Sequence, residues 1–310
     1  MGLTQAEQAV QQLRELYRRY GYTQYRMSKF EPYDLYVRNK SFLVSENILT
    51  FTDADGRLMA LKPEVTLSIV KNAKEGAGLQ KVYYSENVYR TSPMTRGFRE
   101  IMQTGLECVG DIDLVSMGEV LLLAAKSLET INGDYLLDVS HLGFVSGLLD
   151  GALVAERHRG RLLTFMGEKN VAALMACCRE LNVNSEAAEF LCRLTTLYGS
   201  PGELLPQLKQ MVRNERMALA LQQLQEVCPL LPQDRLRLDF SIVNDMNYYN
   251  GFIFRGYLPG LPSGVLSGGR YDNLLRQMGR DGGAIGFAVY MNLLERLEGA
   301  EDSYDADVLL

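Results

Sequence analysis

The stretch that most constrains the fold runs from residue 81 to 110, where KVYYSENVYR and REIMQTGLECVG are two β-prone runs joined by the polar loop TSPMTRGF. Runs this close in sequence pair antiparallel, because a parallel pair needs a crossover of a dozen or more residues. The arrangement recurs upstream, where ILTFTDADGRLMALK alternates on both sides of Asp55-Gly56, a favoured turn pair, and reads as a hairpin. YTQYRMSKFEPYDLY is aromatic-rich and β-prone, YLLDVS is a further strand, and LRLDFSIV, YYNGFIFRGYL and AIGFAVY bring strands back later in the chain. Hairpins mixed with helices predict an α+β sheet and not alternating βαβ units.

Residues 4–20 have Val10, Leu13, Leu16 and Tyr17 at helical spacing. Ser116 and Glu119 form an S-x-x-E capping box, which predicts a helix through VLLLAAKSLETI that stops at Asn132-Gly133. Between residues 156 and 230 helical periodicity takes over with almost no strand alternation. This segment is expected to be a helical insertion in a core made of residues 1–155 and 231–303. The closing YDADVLL (304–310) starts another strand-like run, either the beginning of a C-terminal domain or a short edge strand.

The 310 residues are 47% hydrophobic and 23% charged, ordinary for a soluble globular protein. No apolar run approaches the roughly 18 residues of a membrane span, and MGLTQAEQAVQQ is too polar for a signal peptide. No membrane association and a cytoplasmic location are therefore expected. A net charge of −6 and a pI near 5.2 argue against a broad nucleic-acid surface. Cys108, Cys177, Cys178, Cys192 and Cys228 lack CxxC spacing and read as buried small hydrophobes. His141 and His158 are not spaced as a zinc pair, so neither a metal site nor a cofactor is expected.

Polar groups concentrate where a buried sheet would not want them. LKPEVT sets Glu64 and Thr66 on one face of a short extended piece, and QTGLE puts Gln103 and Glu107 on one side of a strand. NYYNG and SGGRYDNL add Tyr248, Tyr249, Arg270 and Tyr271 beside glycines. Two carboxylates with an amide and tyrosine hydroxyls suit a small amine-bearing ligand; a hydrogen-bonded cluster on a solvated sheet face is the other reading. GGAIGFAVYMNLLERL (282–297) has the outline of a nucleotide-handling corner, yet nothing positive lies between Gly282 and Leu294.

On these residues the chain resembles the catalytic core of class II histidyl-tRNA synthetases from about residue 5 to 305. GYTQYRMSKFEPYDLY is similar to the dimer-interface region, FTDADGRLMALKPEVT to the strand pair ending in the Arg-Pro-Glu-x-Thr-type signature, and NVYRTSPMTRGFREIMQTGLECVG to motif 2. SGGRYDNLL is similar to a histidine-pocket glycine motif and AIGFAVYMNLLERL to motif 3. The resemblance implies a six-stranded antiparallel sheet flanked by helices, with a helical insertion. It implies an amino-acid pocket in which Glu64 and Thr66 face the α-amino group and Arg90 the carboxylate. Gln103, Glu107, Tyr248, Tyr249, Gly268, Gly269 and Tyr271 would complete that pocket.

The ATP-handling positions depart from the pattern. Motif 3's Glu-Arg falls on Asn292 and Leu293, with Glu295-Arg296 three residues further on. Motif 2's Arg-x-Glu is Arg90-Thr91-Ser92. VNDMNYY places Asn244 where a histidine-specific synthetase has its catalytic arginine. Preorganised cations carry most of the stabilisation of a reacting phosphate, and each typically contributes on the order of 10²–10³ in rate. The sequence therefore reads as a pocket that binds an amino acid and no longer activates it. Among synthetase-like families this resembles the ATP phosphoribosyltransferase regulatory subunits. That likeness implies no catalysis, a homodimer built across FEPYDLY, a short-form catalytic subunit as partner, and histidine as effector in the pocket or at an interface. A histidyl-tRNA synthetase catalytic fragment, or a paralogue binding another ligand, is the alternative.

Overall fold

A computed structural model describes residues 4–43, 48–74, 76, 78–91, 97–243 and 248–294. Helix α1 (Gln5–Arg19) opens on a capping box in which Thr4 and Glu7 satisfy each other's backbone N–H groups, and it buries Ala9, Leu13 and Tyr17. Strand β1 (Thr23–Gln24) follows, then β2 (Phe30–Pro32), α2 (Tyr33–Arg38), the hairpin β3 (Thr50–Thr52) and β4 (Leu58–Leu61), and helix α3 (Thr66–Asn72). The hairpin turns as expected: Gly56 has φ +80°, and the Asp53 carboxylate accepts from the N–H groups of Asp55 and Arg57. Strands β5 (Gln80–Thr91) and β6 (Phe98–Gly110) form the long antiparallel pair, with Gln80 opposite Val109 and Thr91 opposite Phe98.

Helix α4 (Leu114–Ile131) begins elsewhere than the S-x-x-E pattern suggests. Asp113 is its N-cap, accepting from the Ser116 N–H at 2.7 Å and the Ser116 hydroxyl at 2.6 Å. Glu119 instead meets Lys81 at 2.7 Å and the Tyr22 hydroxyl at 3.1 Å. An aspartate with extended backbone just before the helix outcompetes a serine already inside its first turn.

Strand β7 (Leu136–His141) and α5 (Leu142–Gly151) lead into α6 (Glu156–Gly167), α7 (Val171–Glu180), α8 (Ser185–Thr196), β8 (Tyr198–Gly199), α9 (Pro201–Met211) and α10 (Glu215–Val227). The chain then re-enters the sheet through β9 (Leu236–Asp239), β10 (Phe252–Tyr257), β11 (Leu266–Arg270), α11 (Asp272–Gln277), β12 (Gly283–Tyr290) and the short α12 (Met291–Leu294). The helical texture of 156–230 thus appears as α6–α10. Leu162, Leu174, Leu191, Leu208 and Leu224 belong to the same buried cluster as Phe254 and Ile285 of the sheet.

The main sheet runs β1-β5-β6-β12-β11-β10-β7-β9-β8. Its middle six strands, β5 to β7 in that order, are antiparallel throughout. The expected six-stranded count needs correction at the edges: β1 adds parallel to β5, β9 adds parallel to β7, and β8 adds antiparallel to β9. Two-residue strands such as β1 and β8 are invisible to periodicity, and β9 enters parallel because α5–α10 supply the crossover. Helices α1 and α4 cover one face of this sheet around Leu106, Phe254 and Phe287. On the other face, α3, α11 and the separate sheet β2-β4-β3 gather a second cluster with Tyr36, Leu67, Val88 and Ala284. Four of the five cysteines are buried and all are unpaired. Among the described residues no helix is long and apolar enough to cross a membrane.

Candidate functional site

The second face of the sheet is not filled completely. A cavity of about 590 Å³ opens over β6, β12, β11 and β10, between α3, Tyr271 and the Tyr248-Tyr249 segment. Glu64, Thr66, Arg90, Gln103, Glu107, Tyr248, Tyr249 and Tyr271 all line it, from five separate stretches of chain.

Strand alternation places two of these. Gln103 and Glu107 share one side of β6, and Glu107 stands directly opposite Gly286 on β12. Gly286 keeps that carboxylate in place by having no side chain: a Cβ there would stand 1.8 Å from Glu107 Oε2. The Glu107 carboxylate accepts from Tyr271 Oη at 2.5 Å and from Thr66 Oγ1 at 2.8 Å, and only 3% of the residue is exposed. Tyr271 is aimed by the SGGRYD turn. There the Asp272 carboxylate accepts from Arg270 Nε at 2.9 Å, Asn250 Nδ2 at 3.0 Å and the Ala284 N–H at 3.1 Å.

The expected extended geometry at Glu64 and Thr66 is not found. Val65 has helical backbone, Thr66 is the first residue of α3, and both Glu64 oxygens accept the Leu67 N–H at 3.0 Å. The first N–H groups of a helix have no internal partner, and a carboxylate one step ahead of them captures the chain into a helical turn. The two side chains still converge on the cavity. Arg90 Nε donates to the Pro63 carbonyl at 2.7 Å, which fixes its guanidinium beside Glu64.

Aromatic rings wall the site. Tyr248 meets Tyr249 edge-on at 4.6 Å, Tyr271 at 5.5 Å and Phe42 at 5.6 Å between centroids. Burial dominates the electrostatics. It pushes the Glu64 carboxyl up to about 7 against the opposing pull of the Leu67 N–H and Arg90. It pushes Glu107 up to about 8 although the Tyr271 and Thr66 hydroxyls favour the anion, and the Glu64 charge adds to the rise. Two acids that resist ionisation in the free chain are acids that a buried cation would ionise.

Other residues expected in the pocket lie elsewhere. Gly268 and Gly269 sit in β11 and serve close packing: a Cβ on Gly268 would approach Phe287 Cβ at 2.4 Å, and one on Gly269 the Tyr249 ring at 2.7 Å. Arg270 turns to Asp272 and to Met117 Sδ. Asn292 and Leu293 fall in α12, away from the cavity wall. Leu293 packs on the main core, and Asn292 Oδ1 is buried without a hydrogen-bond partner among the described residues. Asn244, Ser92, Glu295-Arg296 and the terminal 304–310 run lie outside the described residues. Tyr84, Arg255, Tyr257, Ser267 and Tyr290 line the cavity without having been singled out. The signal was their alternation on strand faces, which becomes informative once the register is known.

Comparison with known proteins settles the family. The histidyl-tRNA synthetase family profile matches residues 2–294. An ATP phosphoribosyltransferase regulatory subunit from Caldanaerobacter subterraneus subsp. tengcongensis is 31% identical over 286 residues, 89% of this chain and 74% of the relative. The chain belongs to the histidyl-tRNA synthetase family, among its ATP phosphoribosyltransferase regulatory subunits. A histidine–tRNA ligase from Methanocaldococcus jannaschii is 29% identical over 302 residues, covering 94% of the chain and 72% of the ligase. A crystal structure described as an ATP phosphoribosyltransferase regulatory subunit/histidyl-tRNA synthetase from Bacillus halodurans superposes with a TM-score of 0.83 at 25% identity, covering 95% of this chain and 79% of that one. As a member of the regulatory subunits the chain is not itself the enzyme, and its nine-stranded sheet is the class II synthetase-like fold the sequence implied.

Proposed function

We propose that this chain regulates a short-form ATP phosphoribosyltransferase catalytic subunit in the first step of histidine biosynthesis, and that its buried cavity binds histidine as the feedback effector. The observation that carries the reading is the pair of buried carboxylates, Glu64 and Glu107, held by Leu67, Thr66 and Tyr271 in one tyrosine-walled cavity with Arg90. A zwitterionic amino acid matches it. The ammonium group meets Glu64 and Thr66, the carboxylate meets Arg90, and a flat cationic or polar ring fits among Tyr248, Tyr249 and Tyr271 beside Gln103 and Glu107. Bound histidine then acts through linkage, because a ligand that favours one conformation of an assembly changes its partner's activity by the same coupling free energy.

Loss of activation chemistry agrees with this reading. Leu293 packs on the core where the synthetases carry a nucleotide-facing arginine, and Asn244 replaces a second fixed cation. The homodimer expected across FEPYDLY is supported by the outward apolar face of β2-β4-β3. There Phe30, 47% exposed, stacks edge-on against Phe51 at 5.0 Å. The α6–α10 segment is read as the insertion, packed on the shared core and without a nucleic-acid role, and the assembly as cytoplasmic.

Two measurements on the purified chain test the site. Calorimetry should detect histidine binding, and histidine-dependent pyrophosphate exchange with ATP should be absent. Robust exchange would reinstate an aminoacylating enzyme, and the absence of histidine heat would move the effector to another site.

A further inference from the structure

Three consecutive helices end in the same way. After the C-caps of α5, α6 and α7 stand Leu153 at φ +55°, Lys169 at +53° and Asn182 at +53°, all with left-handed backbone. In each case the next N–H bonds back to the carbonyl five residues earlier, as Asn170 does to Phe165 at 2.9 Å. Glycine and asparagine are favoured at this position, because other side chains crowd the backbone there. Of the three, only Asn182 meets that preference. Lys169 therefore holds a backbone conformation that its own side chain disfavours, in the corner between α6 and α7.

In that conformation Lys169 reaches a pair of acids. Its ammonium lies 3.0 Å from Asp239 Oδ2 and 5.4 Å from the centre of the Tyr198 ring. Tyr198 pairs in register with Asp239, and its hydroxyl donates to Asp138 Oδ1 at 3.4 Å. Asp138 and Asp239 are only 6% and 8% exposed, on the neighbouring parallel strands β7 and β9. Two other cations face them. Arg237, beside Asp138 on β9, donates to the Asp234 and Leu236 carbonyls. Arg255 stands opposite Asp138 on β10, near Tyr257, whose hydroxyl feels the charge of both acids. Burial, with the Asp239 charge beside it, raises the Asp138 carboxyl to about 6, against the pull of Tyr198, Lys169 and Arg237.

We propose that Lys169 is a pH-sensitive latch, which seats the α6–α7 corner on the Asp138–Asp239 pair and holds it more firmly once both acids are ionised. With Asp138 protonated the ammonium answers one carboxylate; with Asp138 ionised it answers two. Folding raises Asp138 above its ordinary 3.8, so this residue costs stability as pH climbs from there through about 6. Lys169 limits that cost. The latch also adjoins the cavity, because Arg255 and Tyr257 line its wall. It does not depend on which ligand the cavity takes.

Leu153 supplies an internal control, being 91% exposed in the same backbone geometry. Leu153→Asn and Lys169→Asn both install a residue that the backbone favours, but only the second removes an ion pair. Urea unfolding of the full chain at about pH 5 and about pH 7.5 compares each variant with the parent, and amide exchange is followed in α6 and α7. Leu153→Asn is expected to unfold no more readily than the parent at either pH. Lys169→Asn is expected to unfold more readily and to exchange its α6 and α7 amides faster. Its penalty in the unfolding constant should be at least about threefold larger at the higher pH, and that pH dependence should vanish in an Asp138→Asn background. Lys169→Asn matching Leu153→Asn at the higher pH overturns the latch. A penalty equal at both pH values overturns its coupling to the acid pair, and decides that point alone if Asp138→Asn does not fold.

Discussion

Glu107→Gln separates what the cavity does for the free chain from what it does for a ligand. Burial holds the Glu107 carboxyl up at about 8, so near pH 7 it is mainly protonated and an amide of the same shape can stand in for it. Tyr271 and Thr66, at 2.5 and 2.8 Å, both donate to this group. In the variant one of them must rotate to accept from the amide, a rearrangement worth roughly 0.5–1.5 kcal/mol as a single neutral hydrogen bond. Binding is a different matter. A cation buried beside Glu107 ionises it, and a hydrogen bond to a charged group is worth about 1.5–3 kcal/mol, a roughly 10- to 150-fold loss of affinity when the charge is removed. Calorimetric titration of histidine at pH 8 and urea unfolding at pH 7 read the two effects separately. Histidine affinity within twofold of the parent would refute the placement of a cationic group at Glu107. A stability loss well above ~3 kcal/mol would show that the carboxylate is already ionised and held as an anion in the free chain.

Three further outcomes follow from the same geometry. Gly286→Ala pushes a Cβ to 1.8 Å from Glu107 Oε2 and 2.4 Å from the Leu106 carbonyl oxygen. It should cost about 1–3 kcal/mol by overpacking and abolish histidine heat; wild-type melting and binding together would contradict the role given to that glycine. Because burial raises Glu64 to about 7 and Glu107 to about 8, the folded chain binds more protons than the unfolded chain above the ordinary carboxylate range. Stability should therefore fall as pH rises from the unfolded carboxylate value of 4.5 up through 7 and 8; His141, lowered from 6.5 to about 4 by burial, opposes the fall between those two values, so the fall is clearest above about 7. Saturating histidine should flatten that fall, and a flat profile without ligand would contradict the burial argument. Lys62, 1% exposed, pairs with Glu86 at 2.5 Å. Lys62→Met should cost about 3–5 kcal/mol by stranding the acid, and adding Glu86→Gln should recover part of it in urea unfolding; equal losses would mean the pair is not coupled.

The sequence conveyed the site's acids better than its backbone. Period two alone places Gln103 and Glu107 on one side of a strand, and the register with β12 agrees. Glu64 and Thr66 read as an extended piece in the sequence because α3, from Thr66 to Asn72, is too short to show a 3.6-residue repeat and is started by a carboxylate rather than by a pattern. The S-x-x-E pattern at Ser116 competed with Asp113 three residues earlier, and only backbone geometry reveals which one caps the helix. Strand β11, LSGGR, carries no strand signal because glycine disfavours strands unless neighbours need the space, which is what Phe287 and Tyr249 require of Gly268 and Gly269. Arg255 and Tyr84 carry no local signal for a different reason: the cavity wall is assembled by register between strands far apart in sequence.

The central claim is regulation without catalysis, and one measurement addresses it directly. The purified chain is mixed with a short-form ATP phosphoribosyltransferase catalytic subunit, and phosphoribosyl transfer is followed with and without histidine, for the parent chain and for Glu107→Gln. The account predicts activity that depends on adding the chain, inhibition by histidine with the parent, and inhibition shifted to roughly 10- to 150-fold higher histidine with the variant. No stimulation of the catalytic subunit by the parent chain, or an unshifted histidine response with the variant, would contradict it.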